Sequence, residues 1–384
     1  MSFRPDFTRR LAELVAFPTV SADSNLALVE HVERLAGDFG GRCRRFPNPE
    51  GDKASLLIAV GPDAPGGIVF SGHTDVVPTT GQAWTADPWT LRDTGETLVG
   101  RGATDMKGFL ACSLAVLPAI ARMPLKAPVW LAFSYDEEVG CTGVGDMAEW
   151  LGANADARLA VIGEATGMEL VTAHKGGCIG WAHVHGKPGH SSQPERGANA
   201  VMAAGELIAH AAGIYEGMRT TGPRMEAFNP PWSTLQVNQV EGGTHGNILA
   251  EHCRFFWEMR LIPGVSFDDV LAELRGKAAE IEARMRAVDP ACSIRFDELA
   301  RIPPLAPMGD AALERMLLDL LGRDTARAAP YGTEAGIFAA AGVPSVVIGP
   351  GRLADAHQPD ESIAVSEMEH CTAFLTRLAE TMAT

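Results

Sequence analysis

Apolar residues recur in the first half of the chain as short uninterrupted runs at Ser55–Val60, Gly67–Ser71, Pro128–Ser134 and Leu159–Gly163. Runs of this length, without polar alternation, predict strands buried on both faces. Between them Leu26–Phe39, Met106–Ala121 and Thr142–Leu151 carry apolar positions at helical spacing, and Leu11, Leu14 and Val15 line one face of an N-terminal amphipathic helix. Strands and helices alternating in this way predict an α/β fold with helices on both faces of a sheet.

The texture changes near Lys175. Strand patterns at Cys178–Gly186, Ser233–Glu241 and His252–Leu261 accompany two long helical patterns, Ala198–Tyr215 and Ser266–Val288. This mixture predicts a small α+β domain with antiparallel returns. The first texture then resumes with a helix at Asp310–Leu321, a strand at Pro344–Ile348 and a last helix at Ser366–Met382. The expected organisation is a discontinuous α/β domain, residues 1–175 and 294–384, interrupted by an insert at 176–293.

Composition narrows the function classes. A formal charge of −16, from 32 basic and 48 acidic residues, argues against a nucleic-acid binder, whose affinity rests on basic patches. The seven cysteines (Cys43, Cys112, Cys141, Cys178, Cys253, Cys292, Cys371) form no C-x-x-C pair and fit reduced thiols in a cytoplasm. The N-terminus lacks the apolar stretch and cleavage site of a signal peptide, and no run approaches the roughly 20 apolar residues of a membrane span.

Chemistry concentrates where the apolar runs end. His73 and Asp75 follow one run, Asp136, Glu137 and Glu138 another, Glu164 a third, and Asp355 and His357 lie in the loop after a fourth. Asp105 occupies a Gly-bordered turn before a helix. In open α/β sheets ligands bind beyond the carboxyl ends of strands, so clusters far apart in sequence can converge. Two histidines with several carboxylates, and no cysteine expected beside them, suit a divalent ion such as zinc. So many carboxylates favour two ions with a bridging ligand. Asp75 lies two residues after His73, so on a strand both point to the same face, where the Asp75 carboxylate can accept the second ring N–H of His73. Adjacent Glu137 and Glu138 suggest one metal ligand and one proton carrier.

In order, GHTDVVP, GRGATDMKG, DEEVGCTG, GEAT, GHSSQPERGANA and AHQPDE span nearly the whole chain. The ordered set resembles the di-zinc aminoacylase and deacylase family, whose members cleave N-acyl amino acids. GEAT departs from the commoner GEPT without removing a ligand. The resemblance implies a catalytic domain with a mixed sheet and an inserted dimerisation or lid domain. It implies two Zn2+, with Co2+ able to substitute. His73 and Glu164 would hold one ion, Glu138 and His357 the other, and Asp105 would bridge them. Glu137 would be the general base, Asp75 would hold His73, and a cis peptide is expected after Asp105.

From the insert, the resemblance implies that His190 reaches a partner subunit's site in a homodimer and stabilises the tetrahedral intermediate. It also implies that Arg260 binds the substrate carboxylate and that Asn247 contacts substrate. A turn role for His190 and a surface ion pair for Arg260 are the plainer readings. YGTEAGIF and IGPGRLADAHQPDE are most similar to the branch cleaving N-acetylornithine to ornithine and acetate, with Glu334 placed to meet the substrate amine or, alternatively, to serve a helix N-terminus. N-succinyl-diaminopimelate, another N-acyl amino acid, a dipeptide, or a non-catalytic metal-binding relative are the alternatives. His183 and His185 alternate on a strand and read as a solvated sheet face. Gly242-Gly243 lacks the context of a nucleotide loop, and Ser191-Ser192 lacks a nucleophile elbow.

Overall fold

The computed structural model describes residues 3–383. Two compact units emerge among the described residues, one of residues 3–173, Leu305–Ala328 and 333–383, the other of His174–Pro304 and Ala329–Gly332.

The first unit is built on an eight-stranded mixed sheet in the order 42–47, 54–60, 129–134, 68–73, 159–162, 345–347, 171–174, 327–329. Every residue of Ala54–Val60, Ile68–His73, Val129–Ser134 and Leu159–Ile162 is buried, the burial that continuous apolar runs dictate. The core also takes in the helix Lys107–Ile120, which is buried on nearly every side, and the helices Arg4–Val15 and Val365–Glu380. Four strands matter most for chemistry. Ile68–His73 runs parallel to Val129–Ser134 and to Leu159–Ile162, and Ser345–Val347 runs parallel to Leu159–Ile162. Their carboxyl ends therefore open on one edge of the sheet, which is how the separated clusters converge.

The second unit has a four-stranded antiparallel sheet, ordered 234–242, 252–261, 176–185, 293–302. Burial alternates along Gly176–His185, so that Cys178, Ala182 and Val184 pack in a core with residues of the helices Ala200–Thr220 and Phe267–Arg286. Both helices are capped as their sequences allow: Asn199 accepts from Val201 N and Met202 N, and Ser266 accepts from Asp269 N. The chain leaves this unit later than the expected residue 294. Ser293–Ile302 is a full strand paired with Gly176–His185, and with Ala300 as its one buried position it offers little to a reading based on apolar runs.

Among the described residues, no helix is long and apolar enough to cross a membrane.

Candidate metal centre

Asp105 sits at the middle of the converging groups. Its Oδ1 lies 3.0 Å from His73 Nε2 and its Oδ2 lies 3.1 Å from His357 Nε2. On the His73 side, Glu164 Oε1 is 3.8 Å and Glu137 Oε2 is 3.9 Å from the same Nε2. On the His357 side, Glu138 Oε2 is 3.1 Å from Nε2. The groups lie on two sides of Asp105, and two sets of three, His73 with Glu137 and Glu164 and His73 with Asp105 and Glu138, are close enough to hold an ion. Asp355 stands in the exposed 3-10 turn Leu353–Asp355 just before His357.

The backbone places these groups deliberately. The Asp105–Met106 peptide is cis, as expected. Glu361 accepts from the backbone N–H groups of Gly102, Thr104 and Asp105 at 2.8–2.9 Å while pairing with Arg101 at 2.7 Å. Both partners of that ion pair are 1% exposed, so a buried carboxylate with four donors holds the loop that presents Asp105. Asp136 and His357 have φ of 54° and 61°, in the left-handed region that non-glycine residues rarely occupy. Lys53 Nζ pins the Asp136 carboxylate at 2.7 and 2.9 Å.

Two expectations change here. The strand ends at His73, and His73 Nδ1 meets the backbone carbonyl of Asp75 at 2.9 Å, with the carboxylate Oδ1 at 3.6 Å. The carboxylate instead accepts from Ser21 Oγ at 2.7 Å and from the backbone N–H groups of Glu137 and Glu138 at 3.1 and 3.3 Å. Asp75 thus holds both sides of the centre, His73 through its main chain and the Glu137–Glu138 turn through its side chain. A cysteine does lie beside the site: Cys141 donates to Glu137 Oε1 at 3.4 Å, and burial and Glu137 keep its thiol protonated. Glu334 is 1% exposed, as buried as His73 and Asp75 at the centre, and both its carboxylate oxygens are without a hydrogen-bond partner. Burial pushes its carboxyl up to about 7, opposed by Ser134 and His73.

Electrostatics at the centre are set by carboxylates that outnumber the histidines. Burial, Asp105 and Glu137 push Glu164 well above the carboxylate range, and its Oε1 is buried without a hydrogen-bond partner. Burial and the neighbouring Glu138 and Asp105 push Glu137 up to about 8. Burial lowers His73, yet Asp105, Glu137, Asp75 and Glu164 together raise it well above an ordinary histidine. Asp105 and Glu138 push His357 up to about 10. The orphaned Glu164 oxygen, the shared Asp105 and a nitrogen–oxygen donor set all fit divalent ions of the zinc type.

His190, Arg260 and Asn247 belong to the second unit. Gly189–His190 pairs with Ile248–Leu249, and the Ser191 N–H donates to the Asn247 carbonyl at 3.0 Å. His190 Nδ1 accepts from the Ser192 N–H at 3.2 Å, which leaves the ring proton on Nε2. Asn247 Oδ1 lies 2.7 Å from His245 Nδ1. Arg260 directs its guanidinium to Glu258 Oε1 at 2.6 Å, the ion pair that was the plainer reading.

Residues 69–381 match the peptidase family M20/M25/M40. Over 381 residues, 97% of the chain and 96% of the relative, the sequence is 33% identical to the acetylornithine deacetylase of Myxococcus xanthus. It is 32% identical to that of Proteus mirabilis over 386 residues, 98% of the chain and 96% of the relative. In fold it is similar to an M20 family metallo-carboxypeptidase of Sulfolobus solfataricus, with a TM-score of 0.78, 16% identity and 98% and 99% of the two chains covered. A dinuclear metal-binding M20 peptidase of Bacillus subtilis gives 0.68, at 14% identity and 99% and 98% coverage.

Proposed function

The chain belongs to the peptidase family M20/M25/M40, and on that premise we propose a di-zinc amidohydrolase that cleaves N-acetylornithine to ornithine and acetate. Metal-dependent hydrolysis of an N-acyl amino acid is the activity common to the family match and the full-length relatives. The observation that carries the reading within the molecule is the shared Asp105, with one carboxylate oxygen addressed to each half of the centre.

His73 and Glu164 would hold one ion, Glu138 and His357 the other, with Asp105 common to both; Co2+ is expected to substitute. Ions held there supply Lewis acidity to the attacking water and to the acyl carbonyl. Glu137 takes a proton from the water and returns it to the leaving amine nitrogen. Glu138 is committed to His357, whereas Glu137 accepts only a weak thiol hydrogen bond, and this supports the division of labour. Asp75 and Glu361 are positioning residues, the first for His73 and the Glu137–Glu138 turn, the second for Asp105. His190, protonated on Nε2, supplies a donor for developing negative charge on the acyl oxygen, from the second copy of a homodimer. Arg260 would release Glu258 to fork onto the substrate carboxylate, and Asn247 supplies an amide to the substrate. Seven cysteines without a disulfide accompany a cytoplasmic setting.

The testing experiment compares turnover of N-acetylornithine with that of N-succinyl-diaminopimelate and a neutral N-acetyl amino acid, on zinc-loaded protein. N-acetylornithine is expected to give the highest kcat/KM, by about tenfold or more, the scale on which one well-made polar contact discriminates. A higher value for the succinylated substrate would move the chain to the desuccinylase reading.

A further inference from the structure

We propose that His185, His252 and Glu251 form a separate metal site in the second unit, one that takes a divalent ion of the zinc class. His185 ends the strand Gly176–His185, His252 begins His252–Leu261, and the two residues are direct partners in the antiparallel register. Directly opposed side chains of an antiparallel pair project from the same face of a sheet. Their neighbours Val184 and Cys253 point the other way, into the core with the helices, at 2% and 3% exposure. The two imidazoles therefore stand together on the sheet face that the helices leave open.

Their spacing is that of co-ligands. The two Nδ1 atoms are 3.3 Å apart, in rings stacked with centroids 4.9 Å apart and 29° between planes. Without an ion, the same 3.3 Å serves as a long hydrogen bond between the two ring nitrogens. Two nitrogens each bound at 2.0–2.1 Å to a tetrahedral zinc lie roughly 3.3–3.4 Å apart. Glu251 adds negative charge: its Oε2 is 3.9 Å from His252 Nε2, and one donor atom from each of the three residues falls within 4.8 Å of the others. The Gly186 N–H donates to the Glu251 carbonyl at 2.7 Å, fixing the two chain segments against each other.

A cleft of about 630 Å3 opens over these residues, bordered also by Glu241, Ile248 and Arg254, with room for water as a further ligand. Two imidazoles and one carboxylate favour zinc, nickel or copper over magnesium or calcium, which take oxygen ligands. His183, two residues earlier on the same face, is engaged with Asp297 at 2.9 Å and stays outside the set. The same strand ends lead into the paired segments Gly189–His190 and Ile248–Leu249, so an ion at this site ties together the roots of that ribbon.

The test is equilibrium dialysis of the metal-loaded enzyme against buffered zinc, with bound zinc counted per chain. Wild type is expected to hold one zinc more than His185→Ala or His252→Ala. Each of those variants should lose at least about 100-fold in affinity for that extra ion, since even the partners of ligands contribute 10–100-fold. Circular dichroism verifies that the variants are folded. Added Cu2+ should show imidazole nitrogen coupling in electron paramagnetic resonance that His252→Ala removes. The extra zinc should persist in Asp105→Ala, which separates this site from the centre in the first unit. Equal zinc counts in wild type and both folded histidine variants would overturn the proposal, as would a Cu2+ spectrum unchanged by His252→Ala.

Discussion

Asp105→Ala is expected to empty both halves of the metal centre at once and to take N-acyl hydrolysis below detection. The expectation follows from geometry, because Asp105 addresses His73 with one oxygen and His357 with the other. Removing it also takes from His73 and His357 the carboxylate that both sides share. Loss of a partner that merely orients a ligand weakens metal binding 10–100-fold, so loss of a shared ligand should exceed about 100-fold for each ion. Metal analysis by mass spectrometry after dialysis, beside turnover of N-acetylornithine, reads both effects. Retention of one firmly held ion would show that Asp105 serves a single half.

Glu137→Gln should separate proton handling from metal binding. The amide keeps the size of the carboxylate and can still meet the Cys141 thiol, but it cannot take a proton from water. A positioned general base contributes about 10²–10⁴-fold, so kcat should fall by that factor while bound metal stays at the wild-type level. KM for N-acetylornithine should change little, since no substrate contact is removed. Glu138→Gln should behave differently, because Glu138 is committed to His357: its main loss should be in metal content. If Glu137→Gln kept wild-type kcat, the proton carrier would lie elsewhere. If it lost metal as Glu138→Gln does, Glu137 would be a ligand.

Much of this centre is legible in the sequence. His73, Glu164 and the Glu137–Glu138 pair follow strands of continuous apolar character, and parallel pairing brings the ends of such strands to one edge. What escaped were contacts made by backbone geometry. Asp75 meets His73 through a carbonyl because the strand stops at His73, a one-residue matter that the pattern of apolar positions does not resolve. Cys141 returns to Glu137 through a turn in which Asp136, Gly140 and Cys141 all adopt positive φ, at 54°, 115° and 57°; Gly140 marks a turn in DEEVGCTG but not which side chains it brings together. Glu361 lies in the AHQPDE stretch, yet its work is done on Gly102, Thr104 and Asp105, more than 250 residues away in sequence. A buried acidic residue with an arginine partner is a recurring sign of such a brace, but burial cannot be read from the residue type. The strand Ser293–Ile302 escaped because, with Ala300 as its one buried position, it offers little of the apolar signal that marked the other strands.

The central claim is that the residues gathered around Asp105 hydrolyse an N-acyl amino acid only with metal in place. The most direct measurement strips the wild-type protein with a chelator and titrates zinc back while following release of ornithine from N-acetylornithine. Activity is expected to be absent in the stripped protein and to return as zinc fills the centre, in wild type and not in Asp105→Ala. Full turnover after exhaustive chelation, or equal recovery in Asp105→Ala, would contradict it.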